Sequence, residues 1–264
     1  MPMWLYDQPN WLLGLTIVGA TLGSCLAGYA LFHRVVAFDA TEAQQALALA
    51  VLPLVATIHA LLTAFSSVAV WESYSAAEAS VVEEANLVGE LARDLAVFDS
   101  GDSARARSLL YTYARHVVDV EWRSMRSGEA SAASWEDFDE LFRSVGALQP
   151  DTPRRVALMP EIWARTNELL KLRRERLHAA NSEIPSTLWW VVLIETVLTF
   201  AITYVMPATR FNVLIISALA ASMGLVFFFL IAMDRPFAGR ESISTAPYIS
   251  ALDNMDRWDR ATAQ

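Results

Sequence analysis

Four long apolar runs constrain this chain more than any other feature. They lie at about Trp11 to Phe32, Ala46 to Val70, Pro185 to Met206 and Phe211 to Met233. Each is near or above the roughly 20 residues that carry a helix across a bilayer. Four runs with almost no charge argue against buried helices of a soluble bundle. Aromatic residues stand at their ends: Trp4, Tyr6 and Trp11, then Trp71 and Tyr74, then Trp189 and Trp190, then Tyr204. That is the interfacial belt of a membrane protein. The chain is 55% hydrophobic, as such a reading requires.

Charge placement sets an expected orientation. With four spans, both termini and the long segment 71–184 share one side. Of the 20 Lys and Arg residues, only Arg34 and Arg210 fall in the two short connectors on the other side. Lys171, Arg173, Arg174 and Arg176 precede the third span, and Arg235 and Arg240 follow the fourth. Basic flanks mark the cytoplasmic face, so both termini and the segment 71–184 are expected there, in an inner membrane. The opening MPMWLYDQPN carries no Lys or Arg and does not read as a secretory signal.

The segment 71–184 reads as helical, with no strand alternation. TAFSSVAVWESYSAAEASVVEEAN, from Thr63 to Asn86, contains neither Pro nor Gly, so the second span is expected to continue past Trp71 as one long stalk helix. Ala77, Val81, Val82, Leu87, Val88, Leu91 and Leu95 keep a helical period. Gly101 breaks that helix, with Asp102 or Ser103 capping the next, which runs to about Met125. Ser134 of SWED begins a third helix ending near Gly146, and a last one starts around Pro160. The expected organisation is spans one and two in 1–70, a helical cytoplasmic module in 71–184, spans three and four in 185–233, and a cytoplasmic tail in 234–264. The fold class is all-α: a four-span transmembrane helix bundle with a helical module and a stalk.

Several functions are excluded. A net charge of −9 argues against nucleic acid as a partner. The one cysteine, Cys25, allows neither a disulfide framework nor a thiolate metal site. No phosphate-binding Gly loop, H-E-x-x-H or G-x-S-x-G is present. Neither enzyme activity, a metal nor a cofactor is expected.

The blocks VWESYSAAEASVVEEANLVGELARDL, YARHVVDVEWRSM, LLKLRRERLHAANSEIPSTLWWVVL and DRPFAG resemble, in order, those of a bacterial membrane family labelled bestrophin-like. The resemblance covers most of the chain after about residue 60. It implies kinship with bestrophins, four-span helical ion channels whose long second span lines the pore of a pentamer.

Candidate residues follow from polar groups at membrane depth. His59, Thr63, Ser66, Ser67 and Tyr74 fall on one side of the second span, a stripe suited to a water-filled pore. Helix packing, with each hydroxyl bonded back to its own helix, is the competing reading. Glu195 lies about two and a half turns into the third span, where a carboxyl group is costly unless paired, protonated or hydrated. A His59–Glu195 pair would form a proton-sensitive gate or ion site, or else a polar clasp. Glu78 and Glu84, repeated about an axis, would form acidic rings in a cytoplasmic vestibule and favour cations weakly. Gly19-x-x-x-Gly23-x-x-x-Ala27 and Ala220-x-x-x-Gly224 read as close-packing faces. His116 and Glu121, with no third ligand nearby, read as part of a satisfied surface helix.

The expected function is an oligomeric ion channel lined by the second span, a tetramer or pentamer in the lipid bilayer passing inorganic ions. The alternative is a non-conducting scaffold or stress-response protein that binds a partner through its cytoplasmic helices.

Overall fold

The computed structural model describes residues 6, 8–36, 40–127, 131–182 and 184–262. Among them the chain is all-helical. In order come α1 (Asn10–Val35), α2 (Glu42–Phe98), α3 (Gly101–His116), a π-helical segment (Val117–Glu121), α4 (Trp122–Met125), α5 (Ala132–Gly146), α6 (Pro153–Ala180), α7 (Ser186–Thr203), α8 (Arg210–Met233) and α9 (Ala246–Thr262). Four of these, α1, α2, α7 and α8, are long and apolar enough to cross a membrane. α2 is unbroken over 57 residues, about 85 Å at the helical rise.

The chain divides into two compact units, Met1–Glu72 with Glu183–Asp234, and Ser73–Ser182 with Arg235–Gln264. In the first, α1 and α8 make the tightest pair. A Cβ at Gly224 would stand 2.9 Å from the Val18 Cα, so only glycine allows this approach. Leu13, Ile17, Phe227, Leu230 and Ile231 fill one core, and Cys25, Tyr29, Phe200, Ile216 and Ala220 another. Hydroxyls close the far end. Tyr204 donates to the Cys25 carbonyl at 3.0 Å and Tyr29 to that of Met206 at 3.0 Å. Gly28 makes room for this, since a Cβ there would collide with the Tyr204 Oη. Ala220 and Gly224 thus pack as the small-residue pattern leads one to expect. Gly19 and Gly23 do not: both are exposed, with nothing within 4 Å of a Cβ. α8 meets α1 along the face of Leu13 and Ile17 instead.

The second unit is built on the distal half of α2. Ala77, Val81, Val88, Leu91, Leu95 and Phe98 form its buried seam, against Leu110 and Tyr113 of α3, Phe138 and Leu141 of α5, Leu169 of α6, and Tyr248 and Leu252 of α9. Val82, counted as apolar periodicity, lies off this seam and is 40% exposed.

Helix starts differ in detail from expectation, each toward a better cap. Ser100, not Asp102 or Ser103, caps α3, and Ser103 completes a reciprocal capping box with it. Ser131, not Ser134, caps α5. α6 begins at Pro153 under a Thr152 cap, where proline's missing N–H costs nothing, and Pro160 is carried inside the helix. The segment after α8 is more than a tail: α9 packs into the second unit through Tyr248, Ala251, Leu252 and Met255.

Candidate functional site

The polar stripe of α2 forms as a stripe, but faces inward. His59, Thr63 and Ser66 are 6%, 6% and 2% exposed, and Ser67 is half-buried. The opposite face presents Leu54, Leu61, Phe65 and Val68, all exposed. Each hydroxyl is bonded to its own helix: Thr63 to the His59 carbonyl at 2.7 Å, Ser66 to Leu62 at 2.8 Å and Ser67 to Thr63 at 2.9 Å. Such back-bonds satisfy Ser and Thr without solvent. His59 is different. Its Nε2 lies 3.5 Å from the Thr63 hydroxyl, while its buried Nδ1 has no hydrogen-bond partner among the described residues. An unpaired buried polar nitrogen costs about 1–3 kcal/mol.

Glu195, the expected partner of His59, is half-buried on α7. Among the described residues no hydrogen bond or ion pair joins the two. Tyr74 belongs elsewhere: it lies in the second unit, where its hydroxyl donates to the Glu241 carbonyl at 2.7 Å. Its pKa is raised, first by burial and then by Glu78 and Glu241.

Glu78 is exposed, as a vestibule residue would be. Glu84 is not. It is fully buried, and its carboxylate accepts from Arg176 Nε at 2.6 Å, Arg176 Nη2 at 3.2 Å and the Tyr113 hydroxyl at 2.9 Å. A carboxylate held in this way presents no charge to an aqueous vestibule, which removes Glu84 from that role.

Glu84 belongs instead to a buried lattice of two acids and two bases. Glu121, last residue of the π-helical segment, accepts from Arg173 Nη2 at 2.6 Å and from Arg176 Nη2 at 2.8 Å. Arg173 also donates to the Ser134 carbonyl at 2.6 Å. All four charged side chains are 0% exposed. Trp135 lies 4.3 Å under the Arg173 guanidinium, and Trp122 and Tyr248 flank Arg176. Burial, followed by the Glu84 charge, pushes the Tyr113 and Tyr248 hydroxyls well above the ordinary tyrosine range. The expectation of Glu121 on a surface helix is therefore wrong. His116 itself stays half-exposed and bonds Asp137 on α5 at 2.5 Å. Sealed from solvent and balanced in charge, the lattice fastens α2, α3, the π segment and α6 together, and offers no surface to a substrate. No group of three His, Cys, Asp or Glu able to hold a metal occurs among the described residues.

A family model for the Bestrophin-like domain matches residues 19–248, which include the greater part of α1, all of α2, α7 and α8, and the whole charge lattice. The chain belongs to the Bestrophin-like family. No curated protein and no solved structure matches it. In this Bestrophin-like chain the long second helix therefore carries both noteworthy constellations: the intramembrane His59 stripe, and Glu84 of the lattice.

Proposed function

We propose that this chain is the subunit of an oligomeric ion channel whose conduction path follows the polar face of α2. The observation that carries the proposal is His59. Among the described residues its buried Nδ1 has no hydrogen-bond partner, and it shares a face with Thr63, Ser66 and Ser67. Ionisable groups at membrane depth are retained where they meet an ion, a proton or water. Family membership supports the same reading, since bestrophins are ion channels.

The α2 span also has the least cover from its own chain. In its most apolar window 11% of residues are buried, against 39% for α8. Subunits arranged about an axis would supply the missing neighbours, as a tetramer or pentamer. With His59, Thr63 and Ser66 packed inward, the path is shut in this arrangement, and opening requires α2 to turn or shift. His59 and Glu195 form the gate or ion site. Both termini and the second unit lie in the cytoplasm, with α2 as the stalk. Exposed Glu78 supplies the negative potential that favours cations weakly.

The scaffold reading has one observation in its favour, the back-bonded hydroxyls, which need no pore. Ion flux from purified protein in liposomes separates the two. A channel gives flux that Thr63→Trp or Ser67→Trp reduces, with a pH profile that Glu195→Gln displaces. Absence of flux from folded oligomers at every pH and voltage would leave the scaffold.

A further inference from the structure

In the second unit, α2 and α9 enclose a groove of about 670 Å³, the size of a small-metabolite site. Asn86, Gly89 and Arg93 line it from α2, and Ser250, Arg257 and Trp258 from α9. Its charges are uneven. Arg93 is exposed and, among the described residues, makes no ion pair or hydrogen bond. Among the described residues Arg257 bonds only the Asn254 side-chain oxygen, at 2.5 Å, and the Asp253 backbone carbonyl, at 3.4 Å. Glu90 also lines the groove and lies 3.2 Å from Arg165, which it shares with Asp94 and Glu161. Arg107 is committed to Asp259 and to the Ala92 carbonyl. Among the described residues neither Arg93 nor Arg257 is paired with a carboxylate, and both line one groove beside Glu90, in a chain whose net charge is −9. Trp258, 42% exposed, lines the same groove with them. Gly89 leaves its floor open, with nothing within 4 Å of a Cβ.

We infer that this groove binds a small organic phosphate that carries a planar ring, a ligand of the nucleotide class. Arg93 and Arg257 would hold the phosphate through charge-assisted hydrogen bonds, for which the guanidinium fork is well shaped. Asn86 and Ser250 offer neutral hydrogen-bonding groups, and Trp258 a stacking face for the ring. The inference rests on the second unit alone and is independent of what the spans conduct.

Calorimetric titration of the full chain in detergent micelles tests it, with AMP and inorganic phosphate as probes. AMP should bind saturably and more tightly than phosphate. Arg93→Ala and Arg257→Ala should each weaken AMP about tenfold, and Trp258→Leu should weaken AMP while leaving phosphate unchanged. Arg105→Ala, exposed and outside the groove, should change neither. All these positions are exposed, and unaltered thermal midpoints would verify folding. No saturable binding at millimolar AMP would overturn the inference, as would affinity indifferent to the double arginine variant. Equal binding of phosphate and AMP would also overturn it. Short-chain phosphatidylglycerol binding in place of AMP, sensitive to the same arginines, would assign the groove to a lipid headgroup and overturn the ring-bearing ligand.

Discussion

Arg176→Met removes the one side chain that serves both buried acids. Its Nη2 bridges Glu84 and Glu121, and its Nε gives Glu84 a second strong bond. Methionine fills a similar volume, so packing changes little and the loss is mainly electrostatic. Glu121 keeps Arg173, but among the described residues Glu84 keeps only its bond from the Tyr113 hydroxyl, at 0% exposure. Leaving a buried charge uncompensated costs about 3–5 kcal/mol. For a domain of this size each kcal/mol moves the melting midpoint by roughly 3 °C, so a fall of about 10 °C is expected in detergent. Adding Glu84→Gln should recover part of it, because the orphaned charge is then gone, with a coupling of about 1–3 kcal/mol. Arg105→Ala breaks only an exposed pair with Glu140, 71% and 48% exposed, and should shift stability by less than about 1 kcal/mol. If Arg176→Met melts within about 1 kcal/mol of the parent, the lattice does not hold the unit together and the reasoning fails.

Gly224→Ala should destabilise the first unit by about 1–3 kcal/mol, because the new methyl meets the Val18 backbone. Gly19→Ala, with open space around it, should be neutral or slightly stabilising; equal losses at both glycines in thermal melts would refute the packing described. Ser100→Ala should cost about 1 kcal/mol through loss of the α3 cap, read from the melting midpoint. The raised hydroxyl pKa values of Tyr113 and Tyr248 predict an alkaline limit. Their contribution is fully present below the unfolded tyrosine value near 10 and is lost as pH rises above it toward the folded value, because the unfolded chain releases those protons first. Tyr113→Phe should soften this decline, and an unchanged alkaline profile would argue that the hydroxyls ionise freely.

Much of the architecture was legible in the sequence because the bilayer imposes a crude rule: about 20 apolar residues, repeated four times. The continuity of α2 was equally plain from the lack of Pro and Gly between Thr63 and Asn86. The lattice was missed for a physical reason. Charge suggests exposure, whereas spacing is the better guide here. Glu84 sits among Ala77, Val81, Val88, Leu91 and Leu95 at alternating steps of three and four. Arg173 and Arg176 extend Ile162, Thr166 and Leu169 in the same rhythm. Opposite charges on two seams of that kind can pair only when the seams meet, and one helix's period does not reveal its partner. The Gly19 and Gly23 pattern failed for the related reason that small residues permit a close approach without specifying which face receives it. The stripe on α2 was legible as polar, but the direction it faces depends on its neighbours.

The most direct test of the proposed conduction path combines thiol accessibility with flux. Cys25 is the only cysteine and is buried, so a Cys25→Ala chain provides a clean background. Thr63→Cys and Ser67→Cys in that background should react with a water-soluble thiol reagent under conducting conditions and lose ion flux in liposomes. Leu61→Cys, on the exposed apolar face of the same helix, should neither react nor lose flux. Unreactive thiols at 63 and 67 with flux intact, or reaction at 61 in their place, would contradict a path along the polar face of α2.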